Sequence, residues 1–544
     1  MLLYIFVFYF LWEIRISIPD VPEDIKVANY ERVEIAPNHF QVNNCWLKKN
    51  KYGLWEMYLE GADYERGIIY GVLAKELMEN QEDHFVGRIN EMVPNQFYQF
   101  FLKLFVAWFN KDLDRYIPEE YQREIYGVSK SFSDKYDYIA PKYYRILNYH
   151  AAHDIGHALK DLNMVACTSF SVNKEHSADS SLLIARNFDF YMGDDFAEDK
   201  LITFMNPDSG YQYMSYSWAG LMGAVSGMNE KGISVTINAA KSDIPFGAKD
   251  PISILVREIL QYASTIEEAY EIAEKRDVFV SESLLIGSAY DDKAVIIEKS
   301  PTKIDMYESD ENYLVCANHY QSDLFIDDPV NILNIENSDS KSRYDRMMEL
   351  LHENFPISPF SAAEILRDQK GLGGKDIGMG NSKALNQLIA HHGVIFKPKE
   401  LKAWVSAAPY QVGDIVCYDL NEIFNSSQSG IISIVDSLSI PADKFIFTEA
   451  YKDYESFKTT KQELQKYIML DIPVTFTEVE IETFISNNPN SYVTYMVLGQ
   501  YYQKLVDLEK AKSYFELSLT KEVASFDERT LIKEAIEECK TIFK

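Results

Sequence analysis

The hydrophobic rhythm of this 544-residue chain changes at Ala166. Upstream, from about residue 64 to 160, apolar residues recur at helical spacing. YERGIIYGVLAKELMENQEDHFVGRINEMV gives one such run and FYQFFLKLFVAWF a second, more apolar one. Downstream, CTSFSVN, SLLIARNFDF, KLITFMN, YQYMSYSW and GISVTINAA are short strand-like runs bounded by Gly, Asn and Asp. Helices are predicted near 251–262 and 266–276, and strands at SLLIGSAY, KAVIIEKS and YLVCAN. Helices follow around 342–352 and 360–368, then strands at HGVIFKP, LKAWVSAA and GDIVCYDL. Strand and helix runs segregated in this way predict a layered α+β domain, not a doubly wound sheet.

Segments on either side of this body read differently. Residues 25–60 are strand-like. The tail from about 450 is helical. Within it Leu498, Gly499, Tyr502, Ala511 and Phe515 have the spacing of a tetratricopeptide repeat. A lone repeat cannot bury its own face, so it is expected to pack on the body or flanking helices, with a protein-binding surface as its other use. The first eleven residues, MLLYIFVFYFL, are apolar but shorter than the roughly 20 residues of a bilayer span. They are expected to be an export signal or membrane anchor, with a buried strand as the plain alternative. PDVPED then reads as a linker. The resulting division is 1–24, 25–166, 167–445 and 446–544.

A formal charge of −30 repels nucleic acid and anionic lipid, which argues against both as partners. With 37 Tyr and 31 Phe, disorder is not expected. The five cysteines, at 45, 167, 316, 417 and 539, are far apart, odd in number and free of any CxxC pair. That suggests neither a zinc knuckle nor a redox motif, and it fits one working thiol among inert ones.

Cys167 opens the run CTSFSV, and Arg186 and Asp189 follow in ARNFDF. An Arg beside a thiol lowers its pKa, and a carboxylate can orient an amine or a water. In a regular strand the two would face opposite sides unless a bulge re-aimed one. Asn238 ends the strand of GMNEKGISVTINAA, and Asn318 ends YLVCAN; an Asn amide can donate to an oxyanion. KSRYDR sets Arg343 and Arg346 at a helix start.

These five motifs, in this order, resemble the acyl-coenzyme A:6-aminopenicillanic acid acyltransferase family over roughly residues 50–435. More distantly they are similar to choloylglycine hydrolases, penicillin V acylases and acid ceramidase. The resemblance implies a four-layer αββα N-terminal-nucleophile hydrolase fold, here with a C-terminal helical, tetratricopeptide-like appendage. It implies self-cleavage between Ala166 and Cys167, with residues 1–166 staying bound as the smaller piece. Cys167 would then supply both the thiol and a free α-amine, whose pKa near 7.7–8.0 suits a base at neutral pH. By resemblance Arg186 stabilises the thiolate, Asp189 holds the amine, Asn238 sits at the oxyanion hole through its backbone N–H or its side chain, and the Asn318 amide completes that hole. Arg343, with Arg346 close by, matches a downstream active-site Arg. The expected substrate is a small-molecule amide or acyl thioester, acting through an acyl-enzyme, with no cofactor and no metal. A lipid amide or ester hydrolase of the same fold, or an idle scaffold using its tail, are the alternatives.

Two other signals compete. His153, Asp154 and His157 spell HDIGH, near the HExxH zinc motif but without its Glu or a third ligand, so the histidines are expected to be structural. GLGGKDIGMG at 371–380 lacks the Ser or Thr of a phosphate loop, and a flexible loop beside the pocket is expected there.

Overall fold

The computed structural model describes residues 2–158, 166–241, 247–425, 433–470, 472 and 474–541. The strand-like runs form two sheets. The larger has eleven strands, in the order Val33–Ala36, His39–Val42, Cys45–Lys49, Trp55–Gly61, Lys200–Pro207, Tyr213–Trp218, Ser226–Asn229, Ile233–Ala239, Glu282–Ser288, Lys293–Lys299 and Ile304–Tyr307. The smaller has six: Tyr313–Cys316, Thr168–Lys174, Ser180–Phe188, His392–Lys397, Lys402–Ser406 and Ile415–Asp419. All neighbours are antiparallel except one pair. Trp55–Gly61 runs parallel to Lys200–Pro207, in register from Trp55 with Leu201 to Gly61 with Pro207. Strands from before Ala166 are thereby hydrogen-bonded into the same sheet as strands from after it.

Strand alternation explains the layering. Ile202 and Phe204 point from the larger sheet toward Ile184, Val394 and Phe396 of the smaller one. Their neighbours Leu201 and Met205 point the other way, into a core shared with Ile69, Leu73, Leu255 and Ile259 of covering helices. On the outer face of the smaller sheet, Phe170, Val172 and Leu183 meet Met347, Leu351 and Leu366. The body is therefore a mixed α/β stack of helix, sheet, sheet and helix.

Two glycines set the closest helix crossing. A Cβ on Gly67 would lie 2.1 Å from the Glu124 carbonyl oxygen, and one on Gly127 would lie 2.6 Å from that of Tyr64. The helices Asp63–Leu73 and Glu119–Ser129 thus touch backbone to backbone. This crossing buries Glu124 between Arg66, at 2.6 Å, and Arg257 of the helix Ile252–Tyr262. Burial opposes its charge, but the two guanidinium groups prevail and hold Glu124 below the usual carboxylate range.

The tail is helical, as predicted, from Glu449–Leu470 to Phe526–Thr541. Its helices Tyr492–Lys504 and Leu508–Leu519 pack closely, a Cβ on Gly499 falling 2.6 Å from the Phe515 ring. Tyr454, Phe457 and Phe484 pack on Leu388, Tyr410 and Val412 of the body. Loop 371–380 lies under this tail instead of standing free. Lys375 pairs with Glu522, and Asn488 bonds both the amide and the carbonyl of Met379.

The N-terminal run is a helix, Leu2–Glu13, and not the alternative buried strand. It exposes Tyr4, Phe8 and Trp12, and Phe10 stacks on Trp108 of the helix Gln96–Phe109. Among the described residues no helix is long and apolar enough to cross a membrane.

Replacing Glu124 by Ala leaves two buried guanidinium groups without their shared anion. The expected cost is about 3–5 kcal/mol of unfolding free energy, read from urea denaturation. A loss under about 1 kcal/mol would mean the triad is not a structural hinge of the body.

Candidate active site

Cys167 directly precedes the strand Thr168–Lys174 and is completely buried. That strand pairs with Ser180–Phe188 so that Ser169 stands opposite Arg186. From there Arg186 brings one guanidinium nitrogen to 3.4 Å from the Cys167 sulfur. Its two terminal nitrogens also reach across toward the larger sheet, to the carbonyls of Val225 (2.7 Å) and Ile237 and the Ser226 hydroxyl (2.6 Å). The guanidinium also lies over the Phe188 ring, 4.2 Å from its centre. Burial pushes the Cys167 thiol up, and Arg186 acts against that rise.

The facing problem posed by Arg186 and Asp189 is solved without a bulge. The strand ends at Phe188, and the Phe190 amide turns back to donate to the Phe188 carbonyl at 3.1 Å. Asp189 therefore lies outside the alternation. Its backbone carbonyl accepts from the Ala166 amide at 3.0 Å. One carboxylate oxygen is 3.4 Å from the Gln387 amide nitrogen, and the other has no partner among the described residues. Burial raises Asp189 to about 8, against the pull of Arg343 and Arg186.

Arg343 and Arg346 separate cleanly. Arg343 donates to the Cys167 carbonyl (2.8 Å), the Thr168 hydroxyl (2.7 Å) and the Asn318 side-chain oxygen (2.7 Å). Arg346 points away, to Asp368 and Glu349. Held by Arg343, Asn318 spends one amide hydrogen on the Ala239 carbonyl at 2.8 Å. A primary amide has a second hydrogen to give. The Asn238 side chain is committed instead to Ser169 (3.1 Å) and the Cys316 carbonyl (3.0 Å). Arg186, Asp189, Asn238, Asn318 and Arg343 thus converge around the Ala166–Cys167 junction.

Four residues not anticipated from the sequence belong to the same assembly. Gln387 donates to the Ala166 carbonyl at 3.3 Å as well as to Asp189. Ser226, already bonded to Arg186, is 2.9 Å from the His392 Nε2. His392 Nδ1 is in turn 2.8 Å from His391 Nδ1. Burial drives both imidazoles well below their usual pKa, so the chain from His391 to Arg186 is neutral up to the guanidinium. The only sequence trace of this is the HHG triplet entering a strand.

The HDIGH segment lies elsewhere. Asp154 accepts from the Ile252 amide, and His150 is bonded at both ring nitrogens, to the Ile146 carbonyl and the Met222 amide. The side chains of His153 and His157 lie outside the described residues. Among the described residues no group of three or more His, Cys, Asp or Glu is arranged to hold a metal.

One residue beyond Asp189, Phe190 lines a small cavity of about 40 Å³. Phe85, Phe132, Phe196 and Trp218 are its other large walls, and Gln81, Glu82 and Tyr149 bring polar groups to it. Trp218 stacks on Phe190 (5.4 Å), and Phe190 on Phe188 (5.7 Å), the ring beneath Arg186.

Residues 175–407 match the family model of acyl-coenzyme A:6-aminopenicillanic acid acyl-transferase, the family that the sequence motifs resemble. An uncharacterized protein of Archaeoglobus fulgidus is 23% identical over 342 residues, 56% of this chain and 55% of its own. The chain thus spans about half the length of that curated relative. Among solved structures, the N-acylethanolamine-hydrolyzing acid amidase ortholog of Caenorhabditis elegans is 16% identical, with a TM-score of 0.32 over 43% of this chain and 93% of its own. A conjugated bile acid hydrolase of Clostridium perfringens is 12% identical, with a TM-score of 0.33 over 50% and 96%. Penicillin V acylase of Agrobacterium tumefaciens is 14% identical, with a TM-score of 0.32 over 50% and 91%.

The Asp189 carboxyl gives a pH test. Unfolded, it loses its proton near 3.9; folded, near 8. Between those values the folded chain holds a proton that the unfolded chain has released, so this group makes stability fall as pH rises. In an uncut Cys167→Ala background, Asp189→Asn should gain stability relative to the parent as pH goes from about 4 to about 8. Urea midpoints at pH 5 and pH 8 measure it, and parallel curves would refute the raised carboxyl.

Proposed function

We propose that this chain is a self-processing N-terminal-cysteine hydrolase or acyltransferase of the N-terminal-nucleophile fold, acting on linear amide C–N bonds through an acyl-enzyme on Cys167. The observation that carries this reading is the junction itself. A buried thiol lies 3.4 Å from a buried guanidinium, and the carbonyl on each side of the Ala166–Cys167 bond is met by a donor, Gln387 on one and Arg343 on the other.

In this reading the Cys167 sulfur attacks the Ala166 carbonyl carbon. The C–N bond breaks, the amide nitrogen keeps its electron pair and takes the thiol proton, and a thioester links Ala166 to Cys167. Gln387 stabilises the oxyanion formed on the way. Water then hydrolyses the thioester, leaving a carboxylate on Ala166 and a free thiol and α-amine on Cys167. That amine takes up the thiol proton in each later turnover, with Asp189 as its anchor. Its vacant carboxylate oxygen is a buried acceptor suited to an ammonium group. Arg186 stabilises the thiolate, and the second amide hydrogen of Asn318 serves the substrate oxyanion. Asn238 contributes by fixing Ser169 and the Cys316 carbonyl. The acyl-enzyme is released by water or by an amine.

The segments are 1–24, the smaller piece 25–166, the catalytic core 167–445 and a tetratricopeptide-like tail from 446 that buttresses the core. The close Gly499–Phe515 packing supports the tail reading. A lipid amide or ester as substrate is a second reading with its own support. The helices Leu2–Glu13 and Gln96–Phe109, in contact through Phe10 on Trp108, expose Phe8, Trp12, Phe97, Tyr98, Phe101 and Phe105. Such a surface suits the interface of a bilayer.

Intact mass of the purified protein decides the first reading. Wild type should give two chains, the larger beginning at Cys167, while Cys167→Ala stays whole. Gln387→Ala should slow the cut by about 10²-fold, the usual worth of one oxyanion donor. A wild type that remains one uncut chain after folding removes the free-amine mechanism. For the lipid reading, wild type should float with neutral phosphatidylcholine vesicles, and the double change Phe101→Glu, Phe105→Glu should stay behind. Equal flotation of both would remove the aromatic surface as the contact.

A further inference from the structure

Gln387, the donor to the Ala166 carbonyl and to Asp189, hangs between two anchors of different origin. On one side Asn386 is tied to the body. Its backbone amide donates to the Asp368 carbonyl at 2.8 Å, and its side-chain nitrogen to the Arg367 carbonyl at 3.3 Å. On the other side Leu388 is completely buried in a cluster with Tyr454, Phe457 and Phe484 of the tail. The rings of Phe457 and Phe484 stack there at 4.8 Å. Leu388 has a φ of +54°. A residue with a Cβ is uncommon in this left-handed region and stays there only where its surroundings impose it. The Asn386 side-chain oxygen, 3.0 Å from the Leu388 amide, acts on the backbone, and the tail cluster acts on the side chain. The run leading to Gln387 is pressed on the tail as well. A Cβ on Gly378 would lie 2.4 Å from the Ser491 amide nitrogen, and one on Gly380 2.6 Å from the Tyr454 hydroxyl. The Asn381 side chain donates to the Glu522 carbonyl at 2.9 Å, and Lys383 pairs with the Glu522 carboxylate at 2.7 Å. The tail also reaches the stretch after Asp189, where Lys458 lies 2.9 Å from the Asp194 carboxylate.

We propose that the helical tail is a positioning element for self-cleavage: seated among Tyr454, Phe457 and Phe484, Leu388 aims the Gln387 amide at the Ala166 carbonyl. The proposal rests on the self-processing reading above and assigns positioning residues to its first step. Gln387 touches the reacting carbonyl, whereas Leu388 and Phe484 act only through it. In that step the Cys167 sulfur adds to the Ala166 carbonyl carbon and displaces the Cys167 nitrogen, which takes up the thiol proton. Negative charge gathers on the carbonyl oxygen on the way, and a donor slightly out of line loses most of its worth there. Without the tail cluster Leu388 relaxes toward ordinary backbone angles and turns the adjoining side chain with it. The core still holds the thiol beside Arg186, so the cut becomes slow and is not abolished.

Full-length chains made by cell-free synthesis are followed over time by gel and intact mass, with trypsin resistance of the same samples marking the folded fraction. Among folded chains, Phe484→Ala should cut about tenfold more slowly than wild type. Leu388→Gly, which leaves every tail residue in place, should be slowed as much. Leu388→Met, close to Leu in volume, should cut at the wild-type rate. In a Gln387→Ala background neither Phe484→Ala nor Leu388→Gly should slow the cut further, because the donor they aim is gone. Ile532→Ala, in the other apolar cluster of the tail, should lower the urea midpoint and leave the cut unchanged. Wild-type cutting by a folded Phe484→Ala or Leu388→Gly overturns the proposal; where one of the two fails to fold, the other decides. Equal slowing with and without Gln387 also overturns it, as does equal slowing by Ile532→Ala. A wild type that folds and never cuts overturns the self-processing reading, and this proposal with it.

Discussion

A guanidinium taken out of water needs acceptors, and the arrangement of this molecule follows from where the two terminal nitrogens of Arg186 find theirs. It stands on the smaller sheet, but two of its acceptors are backbone carbonyls on the side of the larger one, at Ile237 within a strand and at Val225 just before another. The two sheets are pinned together at the end where Cys167 lies. With Val225, Ile237 and Ser226 taking three of the contacts of its two terminal nitrogens, the fourth is to the thiol. A charge that holds the layers in place is therefore also the charge that faces the nucleophile. Replacing it by a neutral residue would loosen architecture and chemistry together.

Much of this was legible from residue order. The switch at Ala166, the alternation in CTSFSV and ARNFDF, and the helices at 251–262 and 342–352 follow from period alone. The convergence of Arg186 with Cys167 follows from adjacent antiparallel strands, with Ser169 opposite Arg186. What could not be read depends on contacts between elements distant in sequence. Parity placed Asp189 on the wrong face because nothing in ARNFDF says that the strand stops at Phe188. Gln387 lies in a loop 220 residues and more from Ala166, and His392 meets Ser226 only because the sheets face each other. Arg343 and Arg346, three apart on one helix, became distinguishable only through their partners. The N-terminal run had too little pattern to tell helix from strand, being apolar at nearly every position.

The buried histidines show a second way in which the interior is organised. Burial favours the neutral form of both imidazoles, so His392, backed by His391, meets Ser226 without placing a second positive charge near Arg186. Aromatic rings enclose them: His392 lies 4.4 Å from Tyr216 and His391 5.4 Å from Trp218, centre to centre. The same Trp218 forms a wall of the neighbouring cavity. One aromatic cluster thus shields the polar chain behind Arg186 and walls a neighbouring cavity.

The parallel pairing of Trp55–Gly61 with Lys200–Pro207 has a thermodynamic consequence for a chain severed before Cys167. The pairing holds the halves of one sheet together without any covalent link, aided by Glu124 between Arg66 and Arg257. In the intact chain, forming that ladder is an intramolecular closure, independent of how dilute the protein is. In a severed one it is the association of two polypeptides, and the melting point acquires a dependence on protein concentration. The loop entropy saved by the peptide bond is forfeited at the cut. Such a molecule would assemble easily once, as a single chain, and reassemble poorly after denaturation.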